Sequence, residues 1–120
     1  MKAIEFDILR REDGSSEFEE FLNSLPDKDA VKLVAVIHKT EQYGMAVAMR
    51  QQWVKRLRNG ICELRSRQGG SIQRALYFHE RDDRYIITHG FTKKTNKTPP
   101  SEIEKAERLM RNYEKGSTGL

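Results

Sequence analysis

Ile61-Cys62-Glu63-Leu64-Arg65-Ser66-Arg67-Gln68-Gly69-Gly70-Ser71-Ile72-Gln73-Arg74-Ala75-Leu76-Tyr77-Phe78-His79 is the stretch that decides the fold. Residues 61–67 and 72–79 are rich in β-branched, aromatic and apolar side chains, and Tyr85 to Phe91 is a third run of the same kind. Gln68-Gly69-Gly70-Ser71 is a hairpin turn, since glycine reaches positive φ without steric cost. Glu80-Arg81-Asp82-Asp83 is the polar connection of the next hairpin. The three runs therefore predict an antiparallel meander.

Outward from the meander, Ile4, Phe6 and Ile8 alternate with polar neighbours as a strand does, and Asp13-Gly14 marks a turn. Ser16 with Glu19 has the capping-box pattern, and Phe18, Phe21, Leu22 and Leu25 recur at helical spacing until Pro26. Asp27 can cap a second helix with a stripe of Ala30, Leu33, Val34 and Ile37, ending at Gly44, and residues 45–52 can make another short helical piece. Beyond Pro99-Pro100, Ser101 and Glu104 repeat the capping box ahead of Ile103, Ala106, Leu109, Met110 and Tyr113. Glu104/Arg108 and Glu107/Arg111 are spaced to pair along that helix. The predicted fold is α+β: an antiparallel β-sheet of an N-terminal strand and a three-stranded meander, with two N-terminal helices and a C-terminal helix. One domain over residues 1–120 is expected, with a loose tail from about 116.

At 120 residues the core is modest and a surface groove is a better expectation than a large cavity. Cys62 is the one cysteine and cannot form an intramolecular disulfide, the N-terminus lacks the pattern of a secretion signal, and the most apolar stretch is far too short to span a bilayer. A cytoplasmic protein without membrane contact is expected. The net charge of +4 is unevenly spread: residues 1–49 carry 6 basic and 10 acidic side chains, residues 50–100 carry 12 and 4, and the remainder balances. A concentration of positive charge in the middle segment points to a phosphate-rich or acidic partner, or to a solvated basic face.

A two-residue loop at Gly69-Gly70 places Arg65 opposite Arg74, and a loop at 80–83 places Arg74 opposite His89. Like charges facing across strands require an anion, either Glu63 from the same face or a nucleic-acid phosphate gripped by the arginine fork. The loop Thr92-Lys93-Lys94-Thr95-Asn96-Lys97-Thr98-Pro99 has three lysines, three hydroxyls and no acid, so it is either a solvated connection or a phosphate-binding loop. Lys93, Lys94 and Lys97, with Lys55 and Arg58 upstream, are the candidate RNA and phosphate contacts. The histidines and Cys62 lack metal-ligand spacing, and no phosphate-binding glycine loop or serine-nucleophile elbow is present.

The run from Lys55 to Arg65, followed by Arg74-Ala75-Leu76-Tyr77-Phe78, resembles toxins of the RelE/HigB type, and His89-Gly90-Phe91-Thr92-Lys93-Lys94-Thr95-Asn96-Lys97-Thr98-Pro99 resembles the H-x-F-x-K-K-T-x-K-T-P signature of their phage-related HigB-like branch. The resemblance spans residues 3 to about 113. It implies a RelE-like fold and the toxin of a type II toxin–antitoxin system: a ribosome-dependent mRNA interferase that uses neither metal nor cofactor, in which a ribose 2′-hydroxyl attacks the adjacent phosphate. It further implies that a HigA-like helix-turn-helix antitoxin neutralises the toxin and alone carries it to promoter DNA. Transferred to this chain, the resemblance makes Arg74 the stabiliser of the transition state and Arg65 its support. Lys93 and Lys94 would hold RNA or help proton transfer, and His89 and Tyr77 would be the remaining acid/base groups. Two alternatives are a non-catalytic RNA- or protein-binding module on the same scaffold and a ParE-like gyrase inhibitor. Arg74, at a strand edge, is expected to add little to the core, so Arg74→Ala should leave the fold intact.

Overall fold

The computed structural model describes residues 1–118, with side chains through Gly116. In chain order the elements are β1 (Glu5–Ile8), α1 (Glu17–Ser24), α2 (Asp27–Tyr43), α3 (Met45–Arg50), β2 (Val54–Arg58), β3 (Ile61–Gln68), β4 (Ser71–Arg81), β5 (Arg84–Thr92) and α4 (Pro100–Thr118). The α+β class is as the sequence predicts, but the sheet has five strands in the order β1-β5-β4-β3-β2 and is mixed, because β1 runs parallel to β5. The unforeseen strand is β2, joined to β3 by Asn59-Gly60, both at positive φ (51° and 86°). Gly119 and Leu120, the end of the expected loose tail, lie outside the described residues; α4 runs through Thr118.

Helix ends follow local chemistry with two departures. Ser16 caps α1 by accepting the Glu19 N–H (3.3 Å), and Gly44 at φ 89° closes α2, its N–H donating to the Thr40 carbonyl (2.8 Å). Asp27, however, is the first residue of α2 rather than its cap, and α4 begins on Pro100, with the Pro99 carbonyl accepting from Glu102 N–H (3.0 Å). Proline suits that first helical position because its missing N–H would have had no helical partner. Glu104 and Glu107 make their close ion pairs off the helix, both reaching Arg58 (3.7 and 3.3 Å), and Glu107 also accepts from Asn59 (2.5 Å) while the Arg111 charge still acts on it.

Two apolar layers sandwich the sheet. Phe18 of α1, Leu33, Val36 and Ile37 of α2 and Ala48 of α3 cover Val54, Leu64, Ala75, Tyr77 and Ile87 on one face. On the other, Ile103 and Ala106 of α4 cover Ile61, Leu76, Phe78, Ile86 and Phe91. Side chains along β4 thus alternate between faces, placing Arg74 with Leu76 and Phe78 on the α4 side. In β5 the register against β4 shifts between Leu76↔His89 and Tyr77↔Ile87, leaving Thr88 as the extra residue. This bulge resets the alternation, so Ile86 below it and Phe91 above it both face α4.

The two sheet edges differ. On the free side of β1, Phe6 N–H donates to Glu41 Oε2 and Ile8 N–H to Asp7 Oδ1, both at 2.8 Å. The opposite edge, β2, exposes Lys55, Arg56 and Arg58.

Helix α1 lies against the upper half of β5, where the close approach depends on Gly90. A Cβ there would stand 2.4 Å from Phe21 Cδ2, 2.7 Å from Cε2 and 3.1 Å from the Arg74 carbonyl. Gly90→Ala should therefore cost about 1–3 kcal/mol of stability, measured by urea unfolding, through displacement of α1. An unchanged midpoint would mean that Phe21 swings aside freely.

Candidate nucleic-acid interface

The β3–β4 hairpin has the predicted register, with Gln68 opposite Ser71 and Arg65 opposite Arg74. The β4–β5 register differs from expectation. Strand β4 runs on to Arg81, the turn is only Asp82-Asp83, and Arg74 faces Phe91 while His89 faces Leu76. The offset of two residues leaves His89 on the same face as Arg74 but one row away.

Glu63 supplies the anion that the paired arginines require. It is 1% exposed, and its Oε2 lies 3.4 Å from Arg74 Nε and 3.7 Å from Arg65 Nε. Arg74 itself is only 5% exposed, so its position is that of a core arginine rather than a strand-edge one, and the expectation that its removal leaves the fold intact is corrected. Its Nη1 donates to the Gln73 carbonyl (3.1 Å), whereas the buried Nε, although close to Glu63, has no aligned acceptor. Burial pushes the Arg74 pKa down, Glu63 pulls it up, and the charges of Arg65 and Arg67 push it down again.

The lysine loop joins this cluster at both ends. Lys93 N–H donates to the Ile72 carbonyl (2.8 Å), and Thr98 Oγ1 donates to Glu63 Oε1 (2.5 Å). The Lys93 pKa is lowered, first by burial and then by Arg74, with Arg65 and Lys55 adding to the shift and Glu63 opposing it. Lys55, Arg65, Arg67, Arg74 and Lys93 thus form one positive field around one buried carboxylate. Lys94 and Lys97 are exposed on the loop.

Other predicted residues stand apart. Arg58 is turned toward α4 by Glu107 and Glu104. Tyr77 is 1% exposed on the opposite face, its ring edge-on to Phe6 and Tyr85 and its hydroxyl 3.4 Å from Met45 Sδ. Burial pushes that phenol well above its ordinary pKa, with neighbouring Cys62 adding to the shift.

His89 is buried between Thr88 Oγ1, 3.0 Å from Nδ1, and Glu102 Oε1, 2.9 Å from Nε2. Burial lowers its pKa; Lys105 adds to this, while Glu102 and Glu17 oppose it. The Nε2–H donates to Glu102, while the single Thr88 hydroxyl proton is shared between His89 Nδ1 and the Leu76 carbonyl, 3.0 and 3.2 Å from Oγ1. A histidine held neutral when folded takes up fewer protons than when unfolded, so its contribution is lost as pH falls below about 6.5. Stability should drop between pH 7 and pH 5 by at most about 1.4 kcal/mol per pH unit from this group. Urea unfolding of wild type and His89→Gln should show the drop only in wild type; equal slopes would assign it to other groups.

Sequence reading missed Arg67, Thr98 and the strand that presents Lys55. Period-two spacing from Arg65 marks Arg67, and the Asn59-Gly60 dipeptide marks the hairpin that creates β2. No local signal marks Thr98, whose partner is 35 residues away. Among the described residues no group of His, Cys, Asp and Glu is arranged to hold a metal ion, and no helix is long and apolar enough to cross a membrane.

Among the described residues a five-stranded mixed sheet with three helices on one face and one on the other, bearing a basic cluster where the last strand leaves the sheet, defines the class: a small α+β protein. Residues 20–111 match the family described as phage-derived protein Gp49-like (DUF891), and the chain belongs to that family, a RelE/HigB-like toxin family associated with toxin–antitoxin systems. No curated protein matches the chain.

Proposed function

We propose that this protein is the toxin of a type II toxin–antitoxin pair and cleaves messenger RNA on the ribosome, with a HigA-like helix-turn-helix antitoxin as its neutralising partner. The observation that carries this reading is Arg74: a nearly buried guanidinium in a field of four further cations, with one Nε–H lacking an aligned acceptor. Glu63 offsets only one of these five positive charges, the remaining excess favours a further anion, and a phosphodiester matches an arginine fork.

The reaction is attack by a ribose 2′-oxygen on the adjacent phosphorus. The new P–O bond closes a 2′,3′-cyclic phosphate, the P–O5′ bond breaks, the 2′-proton goes to a base and the 5′-oxygen receives a proton. Arg74, supported by Arg65, would stabilise the charge that grows on the pentavalent phosphate. Lys93 is the lysine of the cluster whose pKa is drawn toward neutrality, which suits it to moving a proton. Lys55, Lys94 and Lys97 would follow the RNA backbone.

The test is induction in cells followed by mapping of messenger RNA 5′ ends. New 5′-hydroxyl ends inside translated frames support the reading. Growth arrest with DNA damage and no such ends would point to gyrase, and RNA binding without cleavage to a non-catalytic module. For the loop, replacing Lys93 and Lys94 together by alanine should weaken RNA binding and reduce the slope of log affinity against log salt by about 1.4–1.8, reflecting two lost phosphate contacts. An unchanged slope would remove the loop from the interface.

A further inference from the structure

Glu63 joins its own strand to two other segments of chain. Oε2 faces Arg74 of β4 and Arg65 of β3, while Oε1 accepts from Thr98, the far end of the lysine loop. The near end is pinned independently by Lys93 N–H on the Ile72 carbonyl. Between these anchors Thr95 Oγ1 donates within the loop, to the Lys97 carbonyl. One carboxylate is therefore both the counter-ion of the arginine pair and the anchor of the loop that carries Lys94 and Lys97.

We propose that Glu63 is a positioning residue for the phosphodiester site, coupling the orientation of Arg74 to the seating of the lysine loop through Thr98. The proposal rests on the reading of this site as a phosphodiester-binding surface. The carboxylate is matched to the task because both of its oxygens accept. Glutamine keeps one accepting oxygen for the arginines and can donate its N–H to the Thr98 hydroxyl, so it preserves the shape of the contact while removing the charge that faces both guanidinium groups. Glu63 is buried beneath the cations and carries the sign that repels phosphate, so it acts through Arg74, Arg65 and Thr98 rather than on the substrate.

These features separate positioning from simple structural support. Glu63→Gln removes the negative charge that holds the arginines in place, so affinity for a five-nucleotide single-stranded RNA should hold or improve while single-turnover cleavage on programmed ribosomes falls at least tenfold. Thr98→Val should weaken oligonucleotide binding several-fold, and Thr98→Ser should restore it. Coupling is read without any activity in the Nε–Hε NMR signal of Arg74: Thr98→Val should shift it, although Thr98 and Arg74 share no hydrogen bond, and Thr98→Ser should return it. Wild-type cleavage rates in a folded Glu63→Gln protein would overturn the proposal, as would parallel loss of binding and turnover in that folded protein. If Glu63→Gln does not fold, the Thr98 variants decide, and an Arg74 signal unmoved by Thr98→Val would overturn the coupling. Failure of wild type to cleave any RNA would instead defeat the nuclease reading while the oligonucleotide and NMR results still judge the positioning role.

Discussion

Arg74→Ala is expected to lower ribosome-dependent cleavage by about 100- to 1,000-fold, the usual cost of removing one preorganised donor from a developing anionic charge. The structure adds a second effect. Removing the guanidinium leaves Glu63 buried beside only Arg65 and Thr98, and breaking a buried ion pair from one side costs about 3–5 kcal/mol. Activity loss in the single variant therefore mixes chemistry with folding. Arg74→Ala combined with Glu63→Gln removes the stranded charge, and it should regain much of the stability in urea unfolding but none of the cleavage. Arg74→Lys keeps the charge without the planar fork and should fall between wild type and alanine. Full cleavage by a folded Arg74→Ala/Glu63→Gln protein would take Arg74 out of the mechanism.

Tyr77 should show the opposite pattern. Its ring fills the layer between the sheet and the N-terminal helices, touching Phe6 and Tyr85 edge-on, and Tyr77→Ala should cost about 3–5 kcal/mol by urea unfolding. Tyr77→Phe loses the hydroxyl's contacts with Met45 Sδ and the Cys62 thiol and should keep the fold, with cleavage within about twofold of wild type. A phenol buried this deeply, and pushed to a higher pKa by that burial, is poorly placed to exchange protons with RNA on the other face. A large loss of turnover in a stable Tyr77→Phe protein would return the hydroxyl to the chemistry.

The legible parts of this fold are those written in short-range patterns. The Ser16 cap, the Gly44 stop and the Gly69-Gly70 hairpin each follow from a few adjacent residues, and the last of these sufficed to place Arg65 against Arg74. Alternation along β4 also contains the separation of Tyr77 from Arg74, three positions apart and hence on opposite faces, although family resemblance alone groups them. The β4–β5 register was harder, because the shorter turn and the bulges near His79 and at Thr88 change the pairing without leaving a glycine in the sequence to announce them. Strand β2 was hidden by its own chemistry: Lys55, Arg56 and Arg58 serve an exposed edge and mask the period. The parallel pairing of β1 with β5 joins residues about 80 positions apart, which no local pattern records. Glu63 was legible as the counter-ion of the arginines, but its bond to Thr98 required the path of the loop.

The unlike margins of the sheet govern how these molecules meet one another. Along β1 the outward N–H groups of Phe6 and Ile8 are already claimed by carboxylates, so an incoming strand finds few donors to pair with. Along β2 the backbone is open, but a second copy approaching edge to edge would bring Lys55, Arg56 and Arg58 against their own counterparts. A chain with about three-tenths of its residues in sheet strands could otherwise template its own stacking into fibrils; here saturation guards one margin and electrostatic repulsion the other.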